Sequence, residues 1–256
     1  ESMGQEAALQ LVSERWAGLT LLRKRLGDEA INYQSIGGYE LIGQDHLPAL
    51  EQLEAVNDWL KPLFEQPVFS LQSANMKAFG FGATSWQEMV FNPYEGHINT
   101  GLMMQSLLRY VQERGVTIMT GTSVVALQEQ PGHVLVEAES ALGHFNLQAA
   151  QVAVCTNAFS KQLVPDLALE PGRGLVLATK PLASLPFRGT FHFDEGYFYF
   201  RDHGQRIIFG GGRNHAYEAE RTEAFGTNPD LLKLLCQYLD EAILPGQHWE
   251  LEMSWA

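Results

Sequence analysis

The chain has 256 residues, enough to bury a sizeable core in one large domain or two modest ones. Seventeen lysines and arginines against 30 acidic residues give a formal net charge of −13, which disfavours nucleic acid and anionic membranes as partners and favours approach of cationic amines. No apolar run approaches the ~20 residues of a membrane span, no signal-peptide pattern opens the chain, and Cys155 and Cys236 read as buried free thiols of a reducing cytoplasm.

Ala8, Val12, Trp16, Leu19, Leu22 and Leu26 fall at three- and four-residue steps and predict an amphipathic helix from about Gln5 to Leu26, stopped by Gly27. Residues 36–42 hold Gly37-Gly38 and then a strand. Asp45 is positioned to cap a second helix carrying Leu47, Leu50, Leu53, Val56 and Leu60, with Pro62 near its end. Met76–Phe81 reads as another strand. Gly80-Phe81-Gly82 is not a phosphate loop, because Ser85 stands where a third glycine is required and no lysine follows. It reads as a glycine bend, and Glu88, Asn92 and Glu95 as a polar surface loop.

The stretch from His97 to Ser160 organises the rest. Thr100 is placed to cap a helix bearing Leu102, Met103, Leu107, Leu108 and Val111, and Gly115 supplies its left-handed stop. A β-branched run, Val116–Ile118, follows. Ser123–Leu127 and His133–Ala138 flank the Pro131-Gly132 turn, and Phe145–Ala149 leads to a buried-looking strand, Val152–Cys155, ending in Thr156-Asn157-Ala158. Helix, strand, small meander and buried strand make a cofactor-handling arrangement, since ligands of α/β proteins sit at the carboxyl ends of such strands.

Beyond Ser160, Pro171-Gly172-Arg173-Gly174 precedes a strand, Leu175–Thr179. Phe191 to Phe209 reads as a β-hairpin turning at Asp202-His203-Gly204-Gln205. Alternation puts Tyr197, Tyr199 and Arg201 on one face and Phe198 and Phe200 on the other. A phenol beside a guanidinium suits a carboxylate, although tyrosines packing a sheet with hydroxyls at its rim give the same pattern. Gly210-Gly211-Gly212 permits close backbone approach to a flat ligand, or equally tight packing or a bulge. Pro229 opens a helix with Leu231, Leu232, Leu235, Tyr238 and Leu239 on one stripe, and Glu250–Trp255 is a final strand. The eight histidines show no zinc spacing, and His192 with Asp194 lacks a third ligand. No G-x-S-x-G elbow occurs, and Glu250 with Glu252 reads as alternating solvent-facing acids.

The order Ile98-Asn99-Thr100, Gly115-Val116, Val124 and Val152-Ala153-Val154-Cys155-Thr156-Asn157-Ala158 resembles the middle of the FAD-dependent oxidoreductases of the D-amino-acid oxidase class, with glycine oxidase and sarcosine oxidase. Thr100 stands where that family usually has proline, and Cys155 where it often has alanine. The resemblance implies an α+β chain in which a mixed-sheet substrate domain is interleaved with part of an FAD-binding α/β domain: residues 1–96 and 166–256 for the former, 97–165 for the latter. It also implies an internal piece of a longer flavoprotein, without the N-terminal Gly-x-Gly-x-x-Gly turn and the C-terminal flavin segment.

What the resemblance implies for chemistry is flavin-dependent oxidation of a small amine or amino acid: hydride passes from the carbon beside nitrogen to FAD and the imine hydrolyses. Val124, Cys155, Thr156, Asn157, Gly211 and Arg213 are the implied cofactor contacts. Tyr197 and Arg201 are the implied catalytic-site residues, with Tyr199 and Arg173 at the substrate; Arg173 serves equally well as a turn arginine paired with a surface acid. Trp255 matches the family's tryptophan before its last flavin segment. Two rivals stand beside this reading: a non-catalytic binding module of the same topology without flavin, and an FAD dehydrogenase of a hydroxy acid.

Overall fold

The computed structural model describes residues 4–82 and 85–256. In chain order the elements are α1 (Gln5–Leu26), α2 (Asp28–Ile31), β1 (Gly38–Ile42), a 3-10 stretch (Gln44–Gln52), α3 (Leu53–Leu60), β2 (Ser70–Leu71), α4 (Ala74–Phe79), β3 (Glu88–Asn92) and α5 (Thr100–Gln112). Then come β4 (Thr122–Gln130), β5 (His133–Ser140), β6 (Gly143–Ala149), a 3-10 turn (Asn157–Gln162), β7 (Val176–Thr179) and β8 (Thr190–Phe193). β9 (Phe198–His203), β10 (Arg206–Gly211), a 3-10 turn (Arg213–His215), α6 (Pro229–Tyr238) running into a π-helical turn (Leu239–Ile243), and β11 (Leu251–Trp255) complete it. Contacts divide the chain into two units: residues up to Tyr110 with Gly174–His215 and Gly226–Ala256, and Val111–Arg173 with Ala216–Phe225.

The first unit is built on an eight-stranded mixed sheet in the order β11-β7-β10-β9-β8-β1-β3-β2, with β1 and β8 its parallel pair. The mixed-sheet α+β expectation is met. Register explains the core. Tyr39, Phe191, Phe200 and Phe209 stand opposite one another on successive strands. The first three rings stack, with centroids 4.9 and 4.7 Å apart. A second row, Leu41, Phe193 and Phe198, runs alongside. Phe79, Phe81, Phe187, Trp86 and Tyr238 close over these rows. Offset and edge-to-face rings add about 0.5–1.5 kcal/mol per pair beyond area burial. Because one sheet face is committed to this aromatic layer, strand alternation delivers every intervening side chain to the opposite face.

α1 matches its predicted span, and Gly27 (φ 85°) ends it by donating its N–H to the Arg23 carbonyl. Its Trp16 meets Phe64 and Tyr94 edge-on, beside the small core of Leu60, Phe64 and Val68. Four expectations for this part of the chain are corrected. Met76–Phe81 is not a strand: Ala74–Phe79 is helical and Gly80 (φ 74°) caps it, as the helix propensities of Ala, Met and Lys favour. Glu88–Asn92 is not a surface loop but β3, with Met89 and Val90 buried between β1 and β2. The second helix begins as a 3-10 stretch after Gly43, not at an Asp45 cap, and Pro48 lies inside it. Asn99, not Thr100, caps α5, its side chain accepting from Leu102 N–H and its carbonyl from Met103 N–H. The Gly80–Ser85 stretch includes 83–84, outside the described residues.

The second unit carries the antiparallel meander β4-β5-β6, which realises the three predicted β runs around Pro131-Gly132. Gly115 (φ 81°) stops α5 as expected, with Val116 N–H returning to the Val111 carbonyl. Two expected strands are absent. Residues 116–118 and 152–155 pair with no strand among the described residues, and Val116, Val152 and Cys155 are exposed. Both segments have the composition of buried strands, but a strand exists only through its ladder partner. The reading of Cys155 as a buried thiol is therefore corrected. Cys236 on α6 is half-buried, and burial raises its thiol pKa.

Candidate functional site

The open face of the eight-stranded sheet follows from the same register. Val90, Glu40, His192, Tyr199, Gly210, Val176 and Trp255 form one row across seven strands. Thr190, Arg201 and Ile208 belong to the next. Phe198 and Phe200 are buried on the far side, whereas Tyr199 is 46% exposed, so the predicted alternation is observed over Phe198–Arg201, while Tyr197 lies in the turn before the strand.

Tyr199 lies over Gly210, where a Cβ would meet its ring at 2.9 Å. The ring is thus seated by the absence of a side chain on the neighbouring strand, and its hydroxyl makes no hydrogen bond among the described residues. Burial raises its pKa, which keeps the phenol a neutral donor. Arg201, half-buried beside it, makes no hydrogen bond or ion pair among the described residues. Burial lowers the pKa of its guanidinium while the charge of Asp202 opposes that shift. Asp202 points to the other face, accepting from Gly189 N–H at 2.8 Å.

Next to Tyr199 in the row is a cluster that the residue pattern alone did not reveal. His192 pairs with Glu40 through Nδ1 and faces Glu95 at 3.6 Å through Nε2. Glu95 also accepts from the Asn92 amide at 3.0 Å. Its carboxylate lies over Gly38, where any Cβ would collide with it. Burial disfavours the imidazolium, but hydrogen bonds and charge from Glu40 and Glu95 outweigh burial and carry the His192 pKa up to about 10. A cavity of about 220 Å³ opens here, walled by Leu50, Leu53, Val56, Phe69 and Val90. The available signal was the Phe-His-Phe alternation of β8, which sends His192 outward between two core rings. Glu95 carried no local signal, because the spacing of 88, 92 and 95 reads as a loop.

Tyr197 sits just before β9, at the end of the turn in which Asp194 and Glu195 adopt φ of 53° and 55°. Its main chain, not only its ring, is in use: Gly212 N–H donates to its carbonyl, and the Gly211 Cβ position is filled by that carbonyl 2.0 Å away. Gly211 (φ 120°) is thereby required by the fold itself. Arg213 opens the following 3-10 turn and is half-buried.

The remaining predicted residues lie in the second unit. Val124 is exposed on β4, at the bulge between Val124 and Ala126. Cys155, Thr156 and Asn157 are exposed, Asn157 in a left-handed conformation (φ 47°), with the Thr156 hydroxyl on Ser160 at 3.2 Å. Arg173 forms a two-pronged pair with Glu220, at 2.8 and 3.1 Å, and donates to the Ala224 carbonyl. Glu220 is fully buried, so the partner acid is an interior one and not the surface acid considered above. Among the described residues no group of three or more His, Cys, Asp or Glu side chains is placed so as to hold a metal ion.

No curated protein matches the chain in sequence. L-proline dehydrogenase from P. horikoshii superposes with a TM-score of 0.75 at 16% identity, over 95% of this chain and 65% of that one. Glycine oxidase from Bacillus cereus gives 0.70 at 16%, over 96% and 66%. L-Amino acid deaminase from Proteus myxofaciens, a complex with anthranilate, gives 0.67 at 14%, over 100% and 68%. The chain thus spans about two thirds of the length of these enzymes, and at such identities the likeness is one of fold. A family model described as FAD dependent oxidoreductase (DAO) matches residues 2–256, and the chain belongs to that family.

Proposed function

We propose that the chain supplies the substrate wall, and part of the cofactor contacts, of a flavin-dependent oxidoreductase acting on a small amine or amino acid. The observation that carries this reading is the Tyr199–Arg201 pair: a neutral phenol and a guanidinium without a hydrogen bond or ion pair among the described residues, on one open sheet face. A substrate carboxylate would take the guanidinium fork and the phenolic O–H together, which fixes the position of the adjacent carbon and nitrogen. Arg213 and Tyr197, at the end of the same hairpin, extend that wall. Bound FAD supplies the hydride acceptor, and the resulting imine hydrolyses in water. No side chain is assigned as a base.

The residues of the second unit fit such a cofactor in kind. Val124 offers an exposed apolar contact, and residues 152–155 a largely exposed segment without a ladder partner among the described residues. Arg173, with its fork on Glu220, would act there through the loop it holds.

Visible flavin absorption of the purified protein, followed by oxygen uptake with amines against hydroxy acids, tests the reading. Arg201→Met removes a charge-assisted contact of about 1.5–3 kcal/mol, so KM for a carboxylate-bearing amine rises roughly 10- to 150-fold. A colourless protein favours the non-catalytic binding module, turnover of hydroxy acids alone favours the dehydrogenase, and an unchanged KM in Arg201→Met removes the carboxylate anchor.

A further inference from the structure

Resting on that reading of the sheet face, we infer that the cavity at Glu40, His192 and Glu95 is the side-chain subsite, and that it takes a cationic group carried on an apolar stem. Three observations combine. The walls, Leu50, Leu53, Val56, Phe69 and Val90, are apolar and suit methylene groups. Its polar end holds two carboxylates against one imidazole, a net charge of −1 when all three are ionised. Its volume, about 220 Å³, is below the ~300–1,000 Å³ of sites for whole drug-sized ligands and matches a single side chain.

Alternatives fare worse on the same residues. A carboxylate-ended side chain would meet Glu40 and Glu95, and a purely alkyl one would strip water from both without replacing its hydrogen bonds. An ammonium or guanidinium restores neutrality and satisfies the free lone pairs of Glu95. The His192 pKa of about 10 keeps the imidazole protonated at neutral pH, so one carboxylate equivalent is left for the ligand.

Position along the sheet sets the length. Glu40, His192 and Tyr199 stand on three adjacent strands, two spacings or about 10 Å in all. An amino acid of the ornithine, lysine or arginine kind, its carboxylate on Tyr199 and Arg201, reaches the acidic end with its terminal cation. Such a substrate carries a carboxylate near one end, facing Arg201, and a cation at the other, facing Glu40 and Glu95.

Binding to the full chain, measured by isothermal titration without oxygen so that turnover is not needed, tests the subsite with DL-lysine, DL-norleucine and DL-glutamate. Lysine is expected to bind at least ~10-fold more tightly than norleucine, the equivalent of one charge-assisted contact, and glutamate more weakly than both. Glu95→Gln and Glu40→Gln each bring the lysine-to-norleucine ratio towards one, and lysine shifts the His192 imidazole resonances more than norleucine does. Equal binding of the two, or a ratio that survives both substitutions, overturns the subsite. A yellow, amine-oxidising protein without lysine preference refutes the subsite alone; a colourless protein that prefers lysine supports the subsite and refutes the oxidation.

Discussion

Arg173 offers the sharpest separation between a structural and a ligand-holding role. Its fork meets Glu220 at 2.8 and 3.1 Å, and that carboxylate has no solvent-accessible surface, while the arginine side chain keeps 17% of its own. Arg173→Met preserves the stem and deletes the charge, leaving a buried carboxylate without its principal counter-ion. Removing one member of a buried pair costs about 3–5 kcal/mol, and the partial exposure of Arg173 lowers this to about 2–4. At roughly 2 kcal/mol per molar urea, the unfolding midpoint should fall by ~1–2 M. Hydrogen exchange should localise the loss to residues 166–173 and 216–225, which the pair ties together. Adding Glu220→Gln should recover part of it, because the stranded charge is then gone. Unchanged protection in both segments, with a selective loss of flavin or substrate affinity, would refute this account and return Arg173 to the ligand.

Two further outcomes follow from the first unit. Phe200→Ala removes a ring stacked on Phe191 and touching Phe81, Phe187 and Phe209, so unfolding free energy should drop by about 3–5 kcal/mol, readable by chemical denaturation; a loss under about 1 kcal/mol would contradict the stacked core. The His192 pKa is raised from 6.5 to about 10 in the fold, so its stabilising contribution is complete below about pH 6.5 and is lost as pH rises through 10. Stability of the parent chain should therefore decline between those limits more than that of His192→Gln, and NMR titration of the imidazole should show it still protonated at pH 8.

Much of the first unit was legible because its signals are local. Alternation in Phe198–Arg201 sorts Tyr199 and Arg201 from the phenylalanines, and helical spacing gives the span of α1. The misreadings have local causes too. Met76–Phe81 is a short, mostly apolar run with too few positions for period to decide, and helix propensity won. β3 has only three apolar residues between Glu88 and Asn92, and what makes it a strand is β1 and β2 on its flanks. Val152–Cys155 is the converse, a strand by composition with no ladder among the described residues. The Glu40–His192–Glu95 cluster joins three distant segments, and no window along the chain contains the register that gathers it.

The parallel seam between β1 and β8 has a consequence for biosynthesis. Gly37 and Thr190, joined there by a hydrogen bond, are 153 positions apart. As the polypeptide leaves the ribosome, β1 can dock on β3 early but must keep its other edge uncovered until β8 has been translated. Ordering so distant a partner is slow, and a bare strand edge invites pairing with other nascent copies. Truncation before residue 190 is thus more damaging than its length suggests, since it leaves half a sheet with a sticky seam.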